Sequence, residues 1–404
     1  MIAFACMLRS TFNRNIQRLP LNSKPSTRKV SQYFLFAVAV GGSVGAFEYW
    51  KLMREHRKAI EAEEHKWDYY TKTLKTIPGL STGLLVPRSV LQNTKISRSI
   101  PGPTKLPGIS LTLFQYQTCP FCCKVRAFLD YYGIPYNLVE VNPVFRSQIK
   151  FSNYRKVPII LVDKEGEEDL IQLNDSSLII SILRTLIVHS GSSNEDLKSL
   201  IQLYQNISYS DLSTKKEVKQ VVNRYFLMFG DTIGPETYKK MEQHLIDERK
   251  WRQWGDEVFV HVLSPNVYRH FGESLRTFEY FSKVGNWEEY FPQWERLFVI
   301  YLGASVMLFV SKMLKRKHSL KDDVRESLYD ECRNWLKAIG KNKMFMGGDK
   351  PDLADLTIYG LLSSIEGCEA FQDLLKHTNI AHWYYAVKEC CKNNAGQHEI
   401  NLKT

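Results

Sequence analysis

Two cysteines at C-x-x-C spacing, Cys119-Pro120-Phe121-Cys122, stand where one structural period ends and another begins. Before them, Leu111-Thr112-Leu113-Phe114 reads as a strand. After them, residues 122–132 read as a helix with Val125, Phe128 and Leu129 on one face, stopped by Gly133 and Pro135. A thiol at that junction meets unpaired backbone N–H groups and the positive end of a helix dipole, which favour an anion. Its pKa falls and thiolate becomes available near neutral pH. Pro120 suits the first helical turn, where its missing N–H costs nothing. A structural zinc site would need four ligands, and neither a second C-x-x-C nor a nearby His pair supplies them. Cys390 and Cys391 are adjacent and lack the spacing. Cys119 and Cys122 are therefore read as a reactive dithiol with no metal, and Cys123 as a packing thiol.

The periods that follow place this pair in a fold. Residues 136–141 read as a strand, 145–151 as a short helix, 157–162 as a buried strand entered through a proline, 169–173 as a strand and 175–188 as a helix. The order β-α-β-α-β-β-α is the thioredoxin-like arrangement, expected here over residues 106–190. Residues 191–404 read almost wholly helical. The fifteen uncharged residues 297–311 are too few to span a bilayer and read as a buried core helix. Asp352-Leu353-Ala354-Asp355 before an apolar run reads as a capping-box variant that starts another.

Two further elements point at the dithiol. Lys156-Val157-Pro158 precedes a buried strand, and in this arrangement such a proline is typically cis, which exposes the Val157 backbone to a peptide-like ligand. Asn174-Asp175-Ser176 closes a strand and opens a helix. Ser176 and the helix N–H groups would hold a carboxylate, and Asp175 an ammonium. Together Val157, Pro158, Asp175 and Ser176 compose a clamp for glutathione, the first two for its cysteinyl part and the last two for its γ-glutamyl end. A plain N-cap is the other reading of Asp175-Ser176.

The N-terminus carries much of the charge. The whole 404-residue chain has a net charge of +11, and residues 1–47 hold six basic residues and no acid. No long Lys/Arg stripe follows, so nucleic acid is not an expected partner. Residues 1–29 have the composition of a targeting segment. Residues 30–47 are uncharged and end beside Tyr49 and Trp50, which suits a single-pass membrane anchor, with a cleaved signal as the alternative. Residues 48–105 are expected to be a spacer: a polar helix to residue 76, then a proline-rich linker, with the first compact domain starting near Leu106.

The run 112–130, the run 151–158 through Arg155-Lys156-Val157-Pro158, Gln172 to Ser177, Lys250-Trp251-Arg252-Gln253-Trp254, Ser264-Pro265-Asn266-Val267-Tyr268-Arg269 and Phe345-Met346-Gly347-Gly348 together resemble the membrane-associated prostaglandin E synthase type 2 family. The likeness covers about residues 106–390, departs at Cys123, where the family more often has Ser, and is poor over 194–245. It implies a glutaredoxin-like domain followed by an all-α domain of the glutathione-transferase type. It implies isomerisation of a fatty-acid endoperoxide, prostaglandin H2, to prostaglandin E2. Cys119 would be the catalytic thiol, with Tyr116 and Phe121 beside it, and Val157, Asp175 and Ser176 the glutathione contacts. It further implies that haem can be held through the glutathione sulfur, and a Golgi membrane. The leader composition favours a mitochondrial membrane instead. A dimer through the helical domain is a natural expectation. The same residues would also serve a glutathione-dependent thiol-disulfide oxidoreductase or transferase, or a non-catalytic haem-binding membrane protein.

Overall fold

The structure, a computed structural model, describes residues 75–76, 82–104, 106–189, 197–204, 206–210, 217–221, 223–229 and 233–401. The basic leader 1–29 and the apolar run 30–47 lie outside the described residues, as does nearly all of 48–81.

Six strands form the main sheet: β1 Leu84–Pro87, β2 Arg98–Ile100, β3 Ile109–Gln115, β4 Tyr136–Glu140, β5 Ile159–Lys164 and β6 Asp169–Asn174. They lie in the order β1-β6-β5-β3-β4-β2. β3 and β4 run parallel, and the other neighbours are antiparallel. β3 is central, so Leu111, Leu113 and Phe114 are all buried and the strand reads as a continuous apolar run. Helices α2 Pro120–Tyr131 and α3 Ser176–His189 follow β3 and β6, as the periodicity indicates. The helix expected over 145–151 is reduced to one 3-10 turn, Ser147–Ile149. There Asn142 Oδ1 accepts from the N–H groups of Val144 and Phe145, 2.9 and 2.8 Å away, and this local turn competes with a helix.

The reading of 77–107 as linker is overturned. β1 pairs with β6 from Leu84 opposite Gln172 to Pro87 opposite Asp169, and β2 pairs with β4 on the far edge. Between them the short helix α1 Ser89–Gln92 and the residues after it pack on the sheet. Val86, Val90, Leu91 and Ile96 join Phe114, Val139, Ile159 and Leu161 in one apolar cluster. Arg88 fastens the crossing by donating to the carbonyls of Lys164 and Glu167 at 3.0 and 2.8 Å. Prolines suggested a linker here because edge strands tolerate them: Pro87 ends one edge strand and Pro101 follows the other.

The helical part comprises α4 Leu197–Gln202, α5 Pro235–Trp254, a π-turn Gly255–Phe259, α6 Val260–Val267, α7 Phe271–Val284, α8 Trp287–Tyr290, α9 Gln293–Lys317, α10 Val324–Ile339, α11 Leu353–Ser363, α12 Glu369–His377 and α13 Ile380–Lys392. The capping box at α11 is formed: Asp352 accepts from the N–H groups of Ala354 and Asp355. α11 lies directly on α2, because a Cβ at Gly360 would stand 2.5 Å from Lys124 Cα. Only glycine permits that approach. The uncharged run 297–311 belongs to α9, which is 25 residues long and half covered. Gly303, Ala304 and Met307 face inward, while Trp294, Phe298, Tyr301, Leu302 and Phe309 are exposed. Among the described residues α9 is the one helix long and apolar enough to cross a membrane, by length and composition.

A second unit contains a small antiparallel sheet of Lys75–Thr76, Asn206–Ser210 and Glu217–Val221. These strands correct the almost wholly helical reading of residues 191–404.

Candidate functional site

Cys119 is the N-cap of α2, in extended conformation at φ −76 and ψ 122, with Pro120 in the first turn. It is 8% exposed, whereas Cys122 is 0% exposed. Burial pushes up the thiols of the helical part. It raises Cys368 to about 12, and Cys332 and Cys391 are also held well up.

Cys119, Tyr116 and Phe121 line one narrow cavity of about 60 Å³. Gln117 and Glu140 share the sheet side of this cavity. Tyr268, Phe278, Phe281, Trp287 and Met307 supply an apolar wall from the helices. Its lining, largely apolar and aromatic with a few polar groups, is of the kind that takes an apolar ligand. Cys122 is not on the wall; its side chain packs into the apolar cluster beneath.

The expected clamp residues lie outside the cavity wall. The Val157–Pro158 peptide is cis, and Val157 packs in the same cluster as Tyr116 and Cys119. Asp175 adopts φ 68, and its Oδ1 accepts from the N–H groups of Ser177 and Leu178 at 3.1 and 3.3 Å. The N-cap reading of Asp175 is therefore realised. Its Oδ2 faces Arg224 at 3.4 Å, and Arg224 Nε is buried with no hydrogen-bond partner among the described residues. Ser176 is buried at the start of α3.

A polar network that the motifs did not reveal underlies Cys119. Glu140 ends β4 in register with Gln115 at the end of β3. One Glu140 oxygen accepts from the Gln117 N–H at 2.7 Å and the other from Gln115 Nε2 at 3.1 Å. Burial pushes the Glu140 carboxyl up to about 7. Arg126 donates to Gln115 Oε1, to the Gln117 carbonyl at 2.7 Å and to Cys123 Sγ at 3.1 Å. Cys123 is thus a member of this network rather than inert packing. The available signal was a lone acid in the otherwise apolar run Leu138-Val139-Glu140-Val141.

Lys124 on α2 is a fully buried charge, at 0% exposure. Its Nζ donates to Ser177 Oγ at 2.7 Å and pairs with Asp256 of the π-turn. Asp256 also accepts from Ser177 Oγ at 2.6 Å and from the Tyr225 hydroxyl at 3.1 Å. Burial alone would raise Asp256, but Lys124, Ser177 and Arg224 together outweigh it and hold the carboxyl below its ordinary value. Asp256→Asn is expected to leave an unpaired buried ammonium and cost about 3–5 kcal/mol, read as a lower urea midpoint. Because the carboxyl is depressed, its contribution is present above about pH 4 and disappears as pH falls further. A wild-type midpoint equal to the variant's at neutral pH would refute the assignment.

His244, Glu248 and Asp352 bring three ligand-type atoms within 4.8 Å of one another. This group belongs to the cap of α11 and none of it lines the cavity.

A glutaredoxin family model matches residues 111–166. A mouse (Mus musculus) protein named prostaglandin E synthase 2 is 46% identical over 294 residues, covering 73% of this chain and 73% of its own. The zebrafish (Danio rerio) protein of that name is 44% identical over 285 residues, covering 70% and 72%. Among solved structures, glutathione transferase F7 from Populus trichocarpa aligns with a TM-score of 0.37 at 11% identity, covering 71% of this chain and 99% of its own. Human glutathione transferase theta-2, in complex with glutathione, aligns with a TM-score of 0.36 at 16% identity, covering 73% and 87%.

Proposed function

Because the chain belongs to the prostaglandin E synthase 2 family, we propose that it is an isomerase that converts prostaglandin H2 to prostaglandin E2 at Cys119. The observation that carries the reading is the placement of a helix-capping thiol on the wall of an apolar, aromatic-sided cavity. An endoperoxide brings a weak O–O bond and a long apolar body. The cavity offers Cys119 to the first and Phe278, Phe281 and Trp287 to the second. Tyr116 and Phe121 flank the thiol and orient the ring.

Glutathione is the proposed cofactor. Its γ-glutamyl end carries an ammonium and a carboxylate. Asp175 and Arg224 present the complementary signs at the end of β6, and the buried Arg224 Nε has a donor to spare. Val157 and Ser176 complete the clamp in this reading. Haem, held through the glutathione sulfur as the family resemblance implies, belongs to the same proposal. Attachment through residues 30–47 to a Golgi or mitochondrial membrane, and pairing into a dimer through the helical domain, belong to the same proposal.

Product analysis with prostaglandin H2, with and without glutathione and haem, tests it. Prostaglandin E2 above the solvent background supports the isomerase. Reduction of a model disulfide by glutathione without that product would favour the oxidoreductase instead. Asp175→Ala should weaken glutathione binding roughly ten- to a hundredfold, as expected for a lost charge-assisted contact.

A further inference from the structure

We propose that Glu140 is the proton-handling group of this cavity, taking the ring proton of the endoperoxide and returning it to Cys119. The inference rests on the isomerase reading and adds the base that reading lacks.

Among the described residues Glu140 is the one carboxyl on the cavity wall. A buried carboxyl in an apolar setting is costly unless it is fully bonded. Here it is only half bonded. A carboxylate has about four acceptor sites, and Gln117 N–H and Gln115 Nε2 occupy one on each oxygen. The remaining capacity is available to the cavity that Cys119 also lines. The backbone fixes its place: the Glu140 N–H donates to Ser97 Oγ at 2.9 Å, and β4 is held between β3 and β2.

The charged and titratable groups around it come from every neighbouring element. Arg126 on α2 and Arg98 on β2 favour its ionised form, but less than burial opposes it. Tyr290 on α8 is close enough to feel its charge. The balance leaves the carboxyl near 7, where it can both accept and give back a proton.

The step balances. Glu140 carboxylate takes the proton from the ring carbon bearing one peroxide oxygen. The C–H electron pair becomes the second bond of the ketone, and the O–O bond breaks. The departing oxygen takes the Cys119 thiol proton and becomes the hydroxyl. The proton on Glu140 then passes to the Cys119 thiolate, so the protein ends as it began. No oxidant or reductant is consumed.

The test compares wild type, Glu140→Gln and Glu140→Asp in the full chain, with prostaglandin H2 as substrate. Wild-type kcat should rise with pH through about 7. Glu140→Gln should lose at least about a hundredfold in kcat, and the pH dependence with it. Glu140→Asp should restore part of both. Alkylation of Cys119 should stay equally fast in all three, separating proton transfer from damage to the thiol. Thermal melting identifies a variant that has failed to fold, and Glu140→Asp then carries the decision. An active wild type with Glu140→Gln equally active, or with the pH profile unchanged, overturns the role of Glu140 alone. A wild type that forms no prostaglandin E2 overturns the isomerase reading and this step together.

Discussion

Cys119→Ser is expected to form no prostaglandin E2 above the solvent background while melting at or above the wild-type temperature. The two halves of this result have different causes. Position 119 is a helix N-cap without a side-chain capping bond, and serine is among the best residues there, worth about 1 kcal/mol over a poor cap. The fold should therefore gain slightly. The chemistry should fail because a hydroxyl has neither the low pKa nor the polarisability of a thiol at a helix N-terminus. Cys122→Ser gives the contrast. Cys122 is fully enclosed by apolar neighbours, so a hydroxyl there should destabilise by about 1–3 kcal/mol and leave the reactive thiol in place. Alkylation followed against pH should show one fast thiol in wild type and none in Cys119→Ser. If Cys122→Ser removes activity and Cys119→Ser keeps it, the roles are reversed.

The sheet and its two helices were legible because their signals are local. Apolar runs at 111–114 and 159–162 mark strands, and the Gly133 and Pro135 breakers close α2. The thiol could be assigned for the same reason: strand, Cys119, Pro120 and helix are contiguous. Glu140 was not legible in this way. Its importance arises from register, since only the parallel pairing of β4 with β3 sets it beside Gln115 and over the loop to Cys119. Asp256 is similar: its partner Lys124 is 132 residues away, and a π-turn directs it there. α9 misled for a third reason. Its uncharged run looks like a core helix, yet Phe298 and Phe309 point outward. Composition reports that a helix is apolar and leaves open which neighbour covers each face.

The largest structural effect should come from shortening the chain. A protein beginning at Leu106 keeps every motif named above, and on sequence grounds it is a complete domain. It should nevertheless fail to fold cooperatively, whereas one beginning at Gly79 should melt normally. The cut at Leu106 removes β1 and β2, both edge strands, and with them the layer formed by Val86, Val90, Leu91 and Ile96. One fully buried aliphatic side chain is worth about 1.5–3 kcal/mol. One full and three partial burials therefore come to the order of 5 kcal/mol, comparable to the whole margin of a typical domain, about 5–15 kcal/mol. Exposed β4 and β6 edges would add an aggregation hazard. Near-ultraviolet circular dichroism and thermal melting of the two proteins decide the matter, and equal melting temperatures would refute the expectation. The loss also reaches the site. Ser97 Oγ accepts the Glu140 N–H, the Ser97 carbonyl accepts the Tyr290 hydroxyl at 3.1 Å, and Arg98 donates to Gln117 Oε1 at 2.6 Å. Ser97 and Arg98 thus help hold the floor of the cavity. Any Leu106 protein that does fold should retain a reactive Cys119 and lose the pH dependence assigned to Glu140.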